Sequence, residues 1–167
     1  MCMINILIPT DFTAASIKMA EQAIKCTTEN AVNCMLFHAF SLPDSPHDLL
    51  GGGYREPSVG LMNESFRHAC KQLKDDNPKK VNKIFVRCLN GDTRAVFRNF
   101  LDAYEIDLIY FPDNYTYSRI HERSLNPTIF FKKCGLPIIK ETFIKTAPFI
   151  NKQYLTGAAV VSNKLWQ

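Results

Sequence analysis

A chain of 167 residues, 46% of them hydrophobic, is long enough for one domain with a substantial core, which excludes disorder along its whole length. The formal net charge is only +4, and the basic residues are scattered apart from pairs such as Lys79-Lys80 and Lys132-Lys133, so no basic stripe tracks a phosphate backbone and no nucleic acid partner is expected. No stretch is long and apolar enough to span a bilayer, and the opening residues, without a basic segment and broken by Pro9, do not read as a secretory leader; the expectation is a cytoplasmic protein with no membrane partner.

The run Ile4-Asn5-Ile6-Leu7-Ile8, closed by Pro9, suits a strand buried on both faces of a parallel sheet. From Thr13, a fitting N-cap, the period changes: Ile17, Ala20, Ala23, Ile24 and Thr27 fall on one helical face, with Asn30 as the stop. Val32 to Ala39 reads as the second strand, and a Pro- and Gly-rich loop follows from Ser41 to Gly60. Met62, Phe66, Ala69, Cys70 and Leu73 recur at helical spacing, and Lys83 to Leu89 forms the third strand. After Asn90-Gly91, Asp92 or Thr93 caps a helix predicted to bury Val96, Phe97, Phe100 and Leu101. Asp107 to Phe111 is the fourth strand, stopped by Pro112.

The next helix carries dense punctuation: Asn126 at the N-cap, Pro127 at the first helical position, Leu125 and Phe130 spaced as a hydrophobic staple, and Gly135 at the C-terminal cap. Leu136 to Phe143 is the fifth strand. Five rounds of strand and helix imply an α/β fold, an open doubly wound parallel five-stranded sheet with helices on both faces, because parallel neighbours need right-handed crossovers. This domain is expected over residues 1–143, with 144–167 a C-terminal extension whose pattern is consistent with an arm, an edge strand or a tail.

Cys2, Cys26, Cys34, Cys70, Cys88 and Cys134 are widely spaced with no C-x-x-C pair, which disfavours a zinc site and reads as buried thiols in a reducing compartment. His38 reads as a strand-end residue bonded locally, and His47, His68 and His121 show no metal-ligand spacing, so no metal site is expected. Gly51-Gly52-Gly53 lacks the Lys-Ser or Lys-Thr of a phosphate loop and reads as flexible. Asp11 and Asp113 are spare carboxylates, but no third acid or histidine completes an acid-base or metal site, so no catalytic residue is assigned.

The string Ile4 to Phe12, INILIPTDF, followed by a helix with Ala20 and Ala23, resembles the opening of universal stress proteins, in which an apolar strand ends in Pro-Thr-Asp. Other features agree in order: His38 at the end of the second strand, Gly91-Asp92 after the third, Asp107-Leu108-Ile109 opening the fourth, and Leu136-Pro137-Ile138-Ile139 opening the fifth. The resemblance, spanning roughly Met3 to Phe143, implies sheet order 3-2-1-4-5 and a ligand crevice at the switch between the first and fourth strands, outside their carboxyl ends. Pro9, Thr10 and Asp11 would line one wall and Phe111, Pro112, Asp113 and Asn114 the other, with Ala39 and Phe40 at the mouth. Asp11 resembles the family aspartate that meets the nucleotide's sugar, although an acid at a helix start also serves as a cap.

Nucleotide-binding members follow the fourth strand with a glycine, two residues, a second glycine, about nine residues, then glycine and Ser or Thr, because bare N–H groups must approach the phosphates. Here Pro112 stands where the first glycine belongs, Tyr115 near the second, Ser124-Leu125-Asn126 near the last pair, and no glycine occurs from Asp92 to Cys134. The resemblance therefore implies a non-enzymatic regulatory or interaction module with no cofactor and an unidentified protein or small-molecule partner. Its alternative is an ATP- or AMP-binding protein, with magnesium, in which Tyr117, Arg119 and Arg123, with Ser124 and Asn126, replace the glycine loop. It also implies a homodimer through the last strand, with Pro137, Ile138 and Ile139 at the edge.

Overall fold

The computed structural model describes residues 3–50 and 57–142, with nothing drawn from the side chains of residues 48, 49 and 59. The glycine run at 51–53 and the extension 144–167 lie outside these bounds. In chain order the elements are β1 (Met3–Pro9), α1 (Ala14–Cys26), β2 (Ala31–Phe40), α2 (Pro46–Leu50), α3 (Ser58–Leu61), α4 (Glu64–Asp76), β3 (Val81–Asn90), α5 (Arg94–Ala103), β4 (Leu108–Tyr110), α6 (Thr128–Phe131) and β5 (Ile138–Ile139). The five strands form one parallel sheet in the order β3-β2-β1-β4-β5.

Hydropathy explains which strands sit in the middle. Residues 32–40 of β2 and Ile6, Leu7 and Ile8 of β1 are all buried, as a strand covered on both faces requires. Phe37 turns to one face and meets Phe97 and Phe100 of α5 and Phe130 of α6 at centroid distances of 5.4, 5.2 and 6.3 Å. Its neighbour His38 turns to the other face and meets Phe12, which in turn touches Phe66 of α4. Aromatic pairs of this kind add about 0.5–1.5 kcal/mol each beyond the area they bury, so the Phe37 cluster fixes α5 and α6 on the sheet.

The caps are local and follow the sequence. Thr13 accepts from the Ser16 N–H at the start of α1, Asn63 from the Phe66 N–H at the start of α4, and Thr93, not Asp92, from the Val96 N–H at the start of α5. At the opposite end of the sheet three asparagines form a ladder: Asn82 donates to Asn33 at 2.9 Å and Asn33 to Asn5 at 2.8 Å. The β2–β3 register shifts beside Asn33, so the extra residue of the bulge is tied down by its amide.

Several expectations need correction. Thr27 is the C-cap of α1, its hydroxyl donating to the Ala23 carbonyl, instead of part of the apolar face. Val96 is 38% exposed, because it lies in the first turn of α5, ahead of the Phe97-Phe100-Leu101 stripe. The long 41–60 loop contains the short helices α2 and α3. The helix predicted from Asn126 is the single turn α6: its N-cap is Pro127, not Asn126, with no side-chain cap bond, Asn126 accepts from the Thr128 N–H just ahead of it, and the chain becomes extended at Lys132 and takes a positive φ at Lys133 and Gly135. Adjacent Phe130 and Phe131 each enter an aromatic niche, so the segment is held by packing instead of a run of helical bonds. The fifth strand is only Ile138–Ile139, with Pro137 before it and Lys140 outside it paired to Asp113.

Candidate functional site

The carboxyl ends of β1 and β4 mark the switch point, because β1 has β2 on one side and β4 on the other and the crossovers leave in opposite directions. The chain leaves β1 through Thr10, Asp11 and Phe12. Phe12 holds a left-handed φ of +57°, uncommon for a bulky residue, and its ring is locked 5.2 Å from both His38 and Phe66. Thr10 is completely buried: its N–H donates to the Phe37 carbonyl at 2.7 Å, and its hydroxyl bonds to Ser16 at 2.8 Å and accepts from the Phe12 N–H.

The 111–127 segment leaves β4 and folds back over this crevice. Pro112 is buried, and its carbonyl accepts from the Tyr115 N–H at 3.1 Å, closing a turn. Further on, the Ser41 N–H donates to the Arg123 carbonyl at 2.8 Å, the Leu125 N–H donates to the Ala39 carbonyl at 2.9 Å, and Ser124 bridges antiparallel to Phe40. The segment is thus clamped at one end to β4 and at the other to the end of β2, and it spans β1 between them.

Two tyrosines two residues apart enter the space beneath. Tyr115 is 7% exposed, and its hydroxyl donates to Asp11 Oδ2 at 3.0 Å. The same oxygen accepts from the Ser118 N–H at 3.0 Å, while Oδ1 accepts from the Thr13 N–H at 3.2 Å and the Thr13 hydroxyl at 2.5 Å. Asp11, 1% exposed, therefore has both carboxylate oxygens bonded within the chain. Tyr117 stacks on His38, and its hydroxyl donates to the Thr10 carbonyl at 2.8 Å and bonds His38 Nδ1.

His38 is fully buried, with Nδ1 2.6 Å from the Thr10 carbonyl oxygen and Nε2 3.0 Å from Ser124 Oγ. A carbonyl so close requires the proton on Nδ1, which leaves Nε2 to accept from the Ser124 hydroxyl. Burial pushes the His38 pKa down, with the Thr10 carbonyl and Asp11 opposing it, so the ring stays neutral at neutral pH. Burial likewise drives both tyrosines upward, with the Asp11 charge adding to the shift, so they remain protonated donors.

The structure thus brings together Pro9, Thr10, Asp11, Ala39 and Ser124 of the residues singled out in the sequence, with Phe111 and Pro112 buried at the root of the segment. It does not pair the two aspartates: Asp113 is exposed and 3.0 Å from the Lys140 ammonium, and Asn114 is exposed beside it. Arg119 is exposed, with its guanidinium bonded to the Glu122 carbonyl of its own loop, and the Arg123 N–H donates to His121 Nδ1. Asn126 accepts from the Thr128 N–H and hydroxyl just ahead of α6, and Ile138 and Ile139 are half-buried on the outer strand beside exposed Pro137. Sequence reasoning missed the bond from His38 to a residue 86 positions away and the inward turn of Tyr115 and Tyr117. The available signal was two large aromatics in a stretch where a ligand cradle needs glycine. Among the described residues, no group of three or more His, Cys, Asp or Glu side chains gathers to hold a metal, and no helix is long and apolar enough to cross a membrane.

No family model and no curated protein matches the chain. Solved structures do. It is similar to the universal stress protein UspA from Lactobacillus plantarum at a TM-score of 0.54 and 15% identity, over 82% of this chain and 96% of that one. It is similar to the hypothetical protein PH0823 at 0.53 and 14%, over 86% and 99%. A universal stress protein solved in complex with cAMP matches at 0.50 and 14%, over 84% and 98%. At such identities the likeness is one of fold: the chain has the universal stress protein fold.

Proposed function

We propose that this chain is a non-enzymatic regulatory or interaction module on the universal stress protein fold, whose nucleotide crevice is filled by its own 111–127 segment. The observation that carries the reading is the saturation of Asp11: Tyr115, Ser118 and Thr13 take up the carboxylate that would otherwise face a sugar. The tyrosine rings stand where phosphates would need bare backbone, and no glycine from Asp92 to Cys134 offers any. A nucleotide does not fit this arrangement unless the segment leaves. Function then falls to the outer surface, in a cytoplasmic homodimer joined at β5, where Ile138 and Ile139 sit half-buried on the outermost strand of the described sheet.

Loss of two phosphate contacts at about 1.5–3 kcal/mol each weakens a site of about 1 μM to one between about 0.1 and 20 mM. Titration calorimetry with ATP and magnesium tests this: the expected result is no resolvable heat of binding at micromolar protein. A low-micromolar dissociation constant that disappears on Arg119→Ala with Arg123→Ala, while the fold persists, would replace this reading with a nucleotide-binding one in which those arginines serve the phosphates.

A further inference from the structure

A groove of about 470 Å³ runs between α4 and β3, at the opposite edge of the sheet from β5. Its lining includes four consecutive residues of β3, 84 to 87. Successive strand side chains point to opposite faces, so a groove that touches all four follows the open edge of the strand, where among the described residues no neighbouring strand takes up the main chain. Ile84, Phe85 and Val86 are half-buried, and the Val86 carbonyl accepts from Arg87 Nη1 at 2.9 Å, a side chain standing where a strand would lie.

Cations flank this edge on both faces of the sheet. Arg67, Lys71 and Lys74 follow one another at helical spacing along the groove side of α4. Arg87 extends from the strand to the other face, its guanidinium 5.4 Å from the Phe85 ring centroid and 5.7 Å from that of Tyr104. Among the described residues, no carboxylate lines the groove and none of the four cations is ion-paired.

We propose that the β3 edge is a docking site for an extended acidic segment of a partner protein, which adds to the sheet as a sixth parallel or antiparallel strand. Its main chain pairs with β3, its apolar side chains cover Ile84 and Val86, and its carboxylates meet Arg67, Lys71, Lys74 and Arg87. Charge decides the occupant. A second copy of this edge would set cation against cation, and charged edges are how sheets keep their own copies apart. The concave apolar floor is what goes beyond such a guard. The inference does not depend on what the crevice at β1 binds, so either can fail alone.

The probe is the peptide Ac-Glu-Glu-Val-Glu-Val-Glu-Glu-NH2, in which the first and last Glu share a face with the two Val and can reach the α4 cations while the other Glu face Arg87, added to the full chain labelled with ¹⁵N at low salt. Amide shifts should centre on residues 84–87, and the variant Lys71→Glu with Lys74→Glu should weaken binding about tenfold or more and admit the peptide with Lys in place of Glu. Equal binding of a peptide with Pro in place of Val would overturn strand addition, because proline cannot supply the ladder. Shifts confined elsewhere would overturn the site. Concentration-dependent shifts at 84–87 without peptide would assign the edge to a second copy. Phosphatidylserine vesicles that bind through Lys71 and Lys74 when the peptide does not would assign it to a membrane surface.

Discussion

Replacing Tyr115 by Phe keeps the ring and deletes one oxygen, which removes the hydroxyl's bond to Asp11 Oδ2 together with its contact to Thr13. The hydroxyl is buried with its partner, and a hydrogen bond to a charged acceptor contributes about 1.5–3 kcal/mol. Asp11 keeps the Ser118 and Thr13 donors, so the loss is one bond of several and not an orphaned carboxylate. For a domain of this size each kcal/mol lowers Tm by about 2–4 °C, which gives a fall of about 3–12 °C for Tyr115→Phe. A double-mutant cycle with Asp11→Asn, read by urea unfolding under circular dichroism, separates this bond from changes elsewhere. The coupling should reach about 1.5 kcal/mol or more. If the two changes add within about 0.5 kcal/mol, Tyr115 does not bond Asp11 in solution and the docked segment is refuted.

Burial lowers the His38 pKa, so the unfolded chain takes up a proton at His38 that the folded chain resists. His38 thus costs no stability above the ordinary histidine value of about 6.5 and progressively more below it; the urea midpoint should fall between about pH 6.5 and 5 with a slope that His38→Gln removes, and equal slopes would contradict the assignment. Of the described thiols expected to be buried only Cys34 is, Cys26 and Cys70 being half-buried; burial raises the Cys34 thiol to about 12 and the Cys26 and Cys70 thiols to about 11, with Glu141 adding to the rise at Cys26, so all three should react slowly with a polar maleimide at neutral pH, and stoichiometric labelling within seconds at any of them would count against these shifts. Asn33→Ala removes the middle rung of the amide ladder and should cost about 1–3 kcal/mol in chemical denaturation, whereas a change below about 0.3 kcal/mol would show that the ladder does not hold the bulge.

The division between what could be read from the chain and what could not follows the range of the interactions. The strand cores at residues 4–8 and 32–39, and the caps Thr13 and Thr93, depend on neighbours a few positions away, and the structure places them where the sequence pattern does. The sheet order came from the resemblance, since periodicity alone does not order parallel strands. The segment from Asn126 to Gly135 failed in part because every helix signal in it is local, whereas the niches that receive Phe130 and Phe131 are built by Phe37, Phe97 and Phe111 from distant parts of the chain. The crevice is the clearest case. Asp11 was legible as a residue at the switch point, but its partners Tyr115 and Ser118 lie more than a hundred positions away, and a sequence pattern cannot show which way a loop tyrosine turns.

Occupation of the crevice by the chain's own tyrosines can be read from nuclear Overhauser contacts between the Tyr117 and His38 rings, whose centroids lie 5.6 Å apart. These contacts, and those from Tyr115 to Thr13, should be present in the free protein and unchanged by millimolar ATP with magnesium. Their absence from the free protein, or their loss on adding the nucleotide with new shifts at Thr10 and Asp11, would contradict that occupation.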